Sequence, residues 1–203
     1  MSTKGLLIIL SGPSGAGKDT VLKELISISK DIKLSVSATT RAPREGETNL
    51  KDYIFLKEDE FLKLVSNKGM LEYVEYCGNF YGTPKRQVLK WINQGKDVIL
   101  KIEVKGCKKV KQENPSAVSI FISPPSFLVL EQRLKKRNTE NEGILQERLD
   151  TAKEEMKESV NYDYIVLNES IENCAQDILN IINIEKCKNK YALDHALQRK
   201  YLE

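Results

Sequence analysis

The stretch Ser11-Gly12-Pro13-Ser14-Gly15-Ala16-Gly17-Lys18-Asp19-Thr20 constrains this chain more than any other. It follows a continuous apolar run at residues 6–10 and opens into a segment whose apolar residues, Val21, Leu22, Leu25, Ile26 and Ile28, recur at helical spacing. Strand, glycine loop and helix in that order require a parallel sheet covered on both faces, because an unbroken apolar strand has no face to give to water. Glycines at 12, 15 and 17 let backbone N–H groups turn inward around an anion, and Lys18 adds a point charge at the positive end of the helix behind it. Against the pattern G-x-x-x-x-G-K-[ST], Gly12, Gly17 and Lys18 match, whereas Asp19 stands where a hydroxyl ordinarily meets Mg²⁺. The loop reads as a cradle for a nucleotide's phosphates.

The 203 residues are enough for one sizeable core, and a net charge of +3 gives no reason to expect a nucleic-acid partner. Four cysteines, Cys77, Cys107, Cys174 and Cys187, have no C-x-x-C spacing and only one histidine accompanies them. Neither a zinc site nor a disulfide framework is therefore expected, and the thiols fit a cytoplasmic setting. The first apolar run is too short for a signal peptide, and no stretch is long enough to span a membrane.

Residues 33–37 alternate as a short strand, and periodicity then disappears over residues 38–47. In that loop Arg41 and Arg44, the second just behind a stiffening Pro43, form either a solvated charged surface or a pair that converges on one anion with bidentate geometry. Residues 53–56 read as a strand and residues 58–67 as a helix behind an acidic first turn. Residues 70–77 read as a strand with Glu72, Val74 and Tyr76 on one face, and Gly78-Asn79 as the turn into a returning strand at 80–83. Pro84 suits the first turn of a helix that Gly95 ends. Residues 98–104 read as a second core strand with Glu103 near its C-terminal end, where open α/β sheets hold ligands; a structural ion pair is the alternative for that carboxylate. Residues 118–123 form a third core strand, stopped by Pro124-Pro125. Helical periodicity on both sides of a basic turn gives Arg133, Arg137 and Arg148 the look of a lid over phosphates, or of a solvated helix face. A last strand at 164–167 ends in Asn168, and apolar residues from 171 to 182 mark a closing helix.

The expected architecture is α/β, three-layered, with a central parallel sheet. One domain would cover residues 1–185: a core of about 1–36, 84–127 and 156–185, a small mixed-sheet insertion at 37–83, and a helical lid at 128–155. Residues 186–203 would be a basic amphipathic tail, in which His195 has no acidic or nucleophilic company.

A triphosphate loop plus a second anion site at Arg41 and Arg44 implies phosphoryl transfer between them, a reaction that needs alignment, cations and exclusion of water rather than covalent help. On these motifs the sequence resembles the guanylate kinases over about residues 6–182. The resemblance is carried by the glycine loop, by Ser35-Val36-Ser37-Ala38-Thr39-Thr40-Arg41 with Pro43-Arg44 and Gly46-Glu47, by Lys51-Asp52-Tyr53, by Gly78-Asn79 with Tyr81-Gly82-Thr83, and by the segment from Arg133 to Arg148. It implies a P-loop kinase that moves the terminal phosphate of ATP, with Mg²⁺, directly onto GMP and dGMP, and whose partners are these small nucleotides.

By that resemblance ATP is held by Gly12, Pro13, Ser14, Gly15, Ala16, Gly17, Lys18, Asp19 and Thr20, with Arg133 and Arg137 from the lid and Asn168 beside the adenine. The GMP phosphate falls to Arg41, Arg44, Tyr53 and Tyr81, with Glu47 in the same signature, and the guanine to Ser37, Glu72, Thr83 and Glu103. Lys18, Arg41, Arg137 and Arg148 would be catalytic. The chemistry agrees: guanine presents N1–H and N2–H₂ side by side to a carboxylate such as Glu72, whereas adenine N1 would repel it. Non-catalytic relatives that bind phosphopeptides have eroded loops; the intact loop and lid arginines argue for an enzyme, and Glu72 with the Arg41 to Glu47 signature argues against a related kinase acting on another phosphorylated ribose.

Two departures concern the strand at 98–104, where the family usually has Asp in place of both Lys101 and Glu103. Glutamate does aspartate's work at slightly longer reach, but Lys101 reverses a charge and receives no role. Thr83 replaces a common Ser conservatively. Asp19 would bind Mg²⁺ directly or through water, or Thr20 would supply the hydroxyl from a direction about 100° round the helix. A carboxylate beside phosphates needs a cation between them, so Mg²⁺ dependence is expected to be unusually sharp.

Overall fold

The computed structural model describes residues 4–76, 78–136 and 142–199. Its central strand is β1 (Leu7–Ser11), flanked in parallel by β7 (Asp97–Lys101) and β8 (Val118–Ser123), with β2 (Ile32–Leu34) and β9 (Tyr164–Leu167) at the edges. The order β2-β7-β1-β8-β9 buries β1 on both faces. Ile8 and Leu10 pack against Val21, Leu22 and Leu25 of α1 (Lys18–Ile28) and against Ala175, Ile178 and Ile182 of α7 (Ile171–Arg199). Ile9 points the other way, toward Val88 of α3 (Lys85–Asn93) and toward Cys107 and Val110 of α4 (Val104–Glu113). Each such buried aliphatic side chain contributes about 1.5–3 kcal/mol, and together they anchor the strand from which the glycine loop springs.

The short strands between residues 38 and 84 form a separate mixed sheet. Its order is β4-β3-β6-β5, from β3 (Ala38–Thr39), β4 (Ile54–Phe55), β5 (Met70–Tyr76) and β6 (Asn79–Pro84). It has its own core: Phe61 of α2 (Glu58–Ser66), fully buried, packs on Ala38 and Met70 and stacks on Phe80 with ring centroids 5.5 Å apart. A third cluster joins α5 (Phe127–Lys136) to α6 (Glu142–Lys157) through Leu130, Leu134, Leu149 and Ala152. Among the described residues no helix is long and apolar enough to cross a membrane.

Several boundaries differ from the sequence reading. The strand expected at 98–104 ends at Lys101, because Glu103 takes extended φ/ψ as the N-cap of α4. Pro84 is the last residue of β6 and caps α3 rather than opening it. The alternation at 33–37 resolves into β2 and the separate β3. The closing helix runs on to Arg199 instead of stopping near 182, since no glycine or proline interrupts it.

Candidate active site

Tight backbone geometry builds the loop. Gly12 has φ +147°, and a Cβ there would lie 2.3 Å from the Ile122 carbonyl oxygen; Gly17 has φ +92°, and its Cβ would meet Asn168 Nδ2 at 2.4 Å. Only glycine fits both positions. Lys18 folds back along the loop, its Nζ donating to the carbonyls of Gly12 at 2.6 Å and Pro13 at 3.2 Å. Burial holds its pKa below the usual lysine value, against the raising influence of Glu103, Glu155 and Asp19. A lysine already bonded and partly desolvated presents its charge at little further cost in hydration.

The helices behind the loop supply its other cations. Arg133 Nη1 donates to the Ala16 carbonyl at 3.3 Å and Nη2 to the Asn168 carbonyl at 3.2 Å, and Arg148 Nη2 donates to Ser14 Oγ at 3.0 Å. Asn168 is buried and its Nδ2 also donates to the Ala16 carbonyl, at 2.7 Å. Its amide oxygen Oδ1 is buried with no hydrogen-bond partner among the described residues. A buried, unsatisfied acceptor favours a donor such as an exocyclic amine. Arg137 lies outside the described residues. Thr20 is exposed on the first turn of α1.

The second sheet gathers the other predicted group. Arg41 makes a bidentate pair with Glu47, at 2.8 Å to Oε1 and 3.0 Å to Oε2, and its guanidinium lies 5.4 Å from the Tyr53 ring centroid. Glu47 also accepts the Arg44 backbone N–H at 2.7 Å. The hydrogen bond from Arg41 keeps the Glu47 carboxyl below its usual range, and Glu47 in turn raises Arg41. Glu47 therefore reaches the site through Arg41, orienting its planar fork. Tyr53 and Tyr81 meet edge to face, and register places Tyr81 opposite Thr39, two residues before Arg41. Arg44 is exposed beside them.

Deeper in this sheet Glu72 is only 5% exposed, and its Oε1 accepts a hydrogen bond from the fully buried Thr83 Oγ1 at 2.7 Å. Burial pushes the Glu72 carboxyl above its ordinary value despite that bond. Ser37 sits at the entry to the sheet, its carbonyl accepting the Ile54 N–H at 2.8 Å. Glu103 caps α4, and its charge falls near Lys18, Lys101 and Glu155. The structure thus brings Arg41, Glu47, Tyr53 and Tyr81 together, and Glu72 with Thr83, while Glu103 lies at the N-terminus of α4 within electrostatic reach of Lys18 and Lys101.

The two departures prove to be neighbours. Lys101 Nζ donates to Asp19 Oδ1 at 2.7 Å. Burial lowers the Lys101 pKa, but the hydrogen bond and charge of Asp19 outweigh it and raise the group, with help from Tyr53 and Glu103. Lys101 thus already places one cation of the chain's own beside Asp19.

Sequence reasoning also missed Glu155. Its carboxyl, close to the Ser14 backbone and within electrostatic reach of Lys18, is pushed above the usual range by burial and by Glu103. It lies about two turns after Arg148 on α6, on the same helix face, and that spacing was the available signal.

A glycine loop with Lys18 folded along it, and a separate arginine and tyrosine cluster on the inserted sheet, suit passage of a phosphoryl group from one phosphate to another. This division of labour defines a P-loop kinase of small phosphorylated acceptors. Comparison narrows the class. The family described as Guanylate kinase matches residues 4–185. A guanylate kinase of Caldanaerobacter subterraneus is 46% identical, covering 91% of this chain and 90% of its own. One from Desulfitobacterium hafniense is 47% identical, with 92% and 93% covered. The crystal structure of guanylate kinase from Anaplasma phagocytophilum superposes with a TM-score of 0.73 at 37% identity, over 90% of this chain and 87% of that one. The chain belongs to the guanylate kinase family, enzymes that transfer phosphate from ATP to GMP to give ADP and GDP.

Proposed function

We propose that the residues described above divide this reaction between them, by direct in-line transfer from Mg²⁺-bound ATP to GMP. The observation that carries the reading is Glu72, a buried carboxylate bonded to Thr83 on the same small sheet as Arg41, Tyr53 and Tyr81. A buried carboxylate calls for donors, and guanine offers two adjacent N–H groups to it. Thr83 shares that carboxylate and fixes its orientation. dGMP offers the same base and phosphate and is expected to serve as well.

The loop N–H groups and Lys18 hold the ATP phosphates, and Lys18 exchanges its contacts with Gly12 and Pro13 for phosphate oxygens. Arg41, pre-oriented by Glu47, and the hydroxyls of Tyr53 and Tyr81 fix the GMP phosphate; Arg44 adds charge at the rim. No general base is needed, because a phosphate monoester is largely dianionic at pH 7, with its second pKa at about 6. Arg133 and Arg148, with Arg137 from the same segment, neutralise charge spreading over the transferred group. Asn168 Oδ1 accepts from the adenine amine.

The residues fit a magnesium ion shared with the nucleotide. Asp19 offers one exposed carboxylate on the first turn of α1, and among the described residues no three His, Cys, Asp or Glu side chains gather to cage an ion. Mg²⁺ commonly takes one or two carboxylates and completes its shell with phosphate and water. When bound it would draw charge from the phosphate oxygens. A cytoplasmic setting belongs to the same reading, supported by the free thiols of Cys107, Cys174 and Cys187.

A coupled assay of ADP release with GMP tests the proposal. Turnover should disappear in Lys18→Ala while the protein stays folded; undiminished turnover in that variant would remove the loop from the reaction.

A further inference from the structure

Lys101 ends β7 at the edge of the sheet where ligands of open parallel sheets gather. Parallel register sets it beside Leu10, just before the glycine loop. From there its ammonium reaches Asp19 on the first turn of α1. Both side chains are open to solvent, 38% and 62% exposed, and an ion pair so exposed contributes little to stability. Bracing the fold does not account for it.

The pair is made from two positions at which the chain leaves the pattern it resembles. A hydroxyl at 19 with an aspartate at 101 carries one negative charge, whereas Asp19 with Lys101 carries none. The mouth of the loop is thus one unit more positive than the pattern, and a more positive site relies less on a metal ion to accept a polyphosphate. The surroundings reinforce this. Lys101 acts on the charge of Lys18, and Tyr53 and Glu103 act on Lys101, so its ammonium is within electrostatic reach of both the loop lysine and the tyrosine of the acceptor cluster.

We propose that Lys101 is a further phosphate-binding residue: Asp19 holds its ammonium at the mouth of the loop, and nucleotide phosphate takes that ammonium over. The inference rests on the reading of the loop as the ATP site. Exchange replaces one charge-assisted hydrogen bond with another, so it is energetically easy. Dependence of nucleotide binding on the metal is then blunted, the reverse of what Asp19 alone led one to expect.

Calorimetric titration of ATP into the full chain, in EDTA and separately in Mg²⁺, tests this. Lys101→Ala should bind ATP about ten- to a hundredfold more weakly in EDTA, the worth of one charge-assisted hydrogen bond, with a smaller loss in Mg²⁺. Lys101→Arg should keep most of the EDTA affinity, and Asp19→Ser should bind in EDTA at least as tightly as the unaltered chain. The double variant Asp19→Ser with Lys101→Asp restores the pattern and should gain most from Mg²⁺. Circular dichroism establishes that each variant is folded. Equal affinity of Lys101→Ala and the unaltered chain in EDTA, an equal loss in both media, or loss of EDTA binding in Asp19→Ser would overturn the proposal. If the unaltered chain binds ATP yet transfers nothing to GMP, the functional reading fails while this series still decides the role of Lys101.

Discussion

Replacing Glu72 with glutamine changes one oxygen for one NH₂ group in the centre of the proposed guanine site. The carboxylate is 5% exposed, and one oxygen is engaged by Thr83 Oγ1 at 2.7 Å. Guanine N1–H and N2–H₂ would both donate to this group. In the variant one of them keeps an acceptor and the other faces an amide donor. The loss is at least one hydrogen bond to a charged group, about 1.5–3 kcal/mol, plus the cost of a buried donor left without a partner, about 1–3 kcal/mol. Together these amount to a fall in kcat/KM for GMP of about a hundredfold or more. Adenine pairs an acceptor N1 with a donor amine, which suits an amide, so kcat/KM for AMP should rise or hold. The free protein should lose no stability, because the substitution removes a buried charge and Thr83 retains an acceptor. Steady-state kinetics with GMP and AMP, beside thermal unfolding, read all three effects. Glu72→Gln with full GMP preference would refute the placement of the base.

Gly12→Ala forces φ +147° on a residue with a Cβ and drives that atom to 2.3 Å from the Ile122 carbonyl oxygen; backbone strain alone costs about 1–3 kcal/mol, so a lowered melting temperature and lost ATP binding are expected. An unchanged melting temperature would mean that the loop yields more easily than its geometry implies. Arg41→Lys keeps the charge but loses the bidentate fork to Glu47, so KM for GMP should rise about tenfold or more while ATP affinity stays, as separate titrations would measure. With folded Glu72 titrating above its ordinary 4.5, kcat/KM for GMP should fall on the acid side at a pH higher than a normal glutamate would give. Between those two values the folded state binds more protons than the unfolded one, so the Glu72 contribution to stability declines as pH rises through the window; Glu72→Gln should abolish both dependences.

The strands β1, β8 and β9 and the helix α1 were legible because continuous apolar runs and helical spacing are written into short stretches of sequence. The helix α4 was not. Its core residues Val104, Cys107 and Val110 are separated by lysines and by Gly106, a poor helix former. A Cβ at Gly106 would lie in ordinary contact, 3.4 Å from Glu72 Oε2, so the helix passes close beside that carboxylate. Missing the helix stretched the preceding strand to residue 104 and hid the place of Glu103 at the helix N-terminus, within electrostatic reach of Lys18. The arginine signature pointed to residues that the structure does bring together, but it could not reveal that Glu47 pairs with Arg41 through both carboxylate oxygens. The pairing of Asp19 with Lys101 joins elements far apart in the chain, so only the parallel register that sets Lys101 beside Leu10 reveals it.

The central claim is that a phosphoryl group passes directly from a nucleotide on the glycine loop to GMP on the inserted sheet. Incubating the chain with ATP labelled at its terminal phosphate, Mg²⁺, and equal concentrations of GMP, AMP, CMP and UMP, then separating the products, tests it most directly. Label is predicted in the second phosphate of GDP, with little in the other diphosphates or in inorganic phosphate. Label spread evenly among the acceptors, or released as inorganic phosphate with GDP unlabelled, would contradict it.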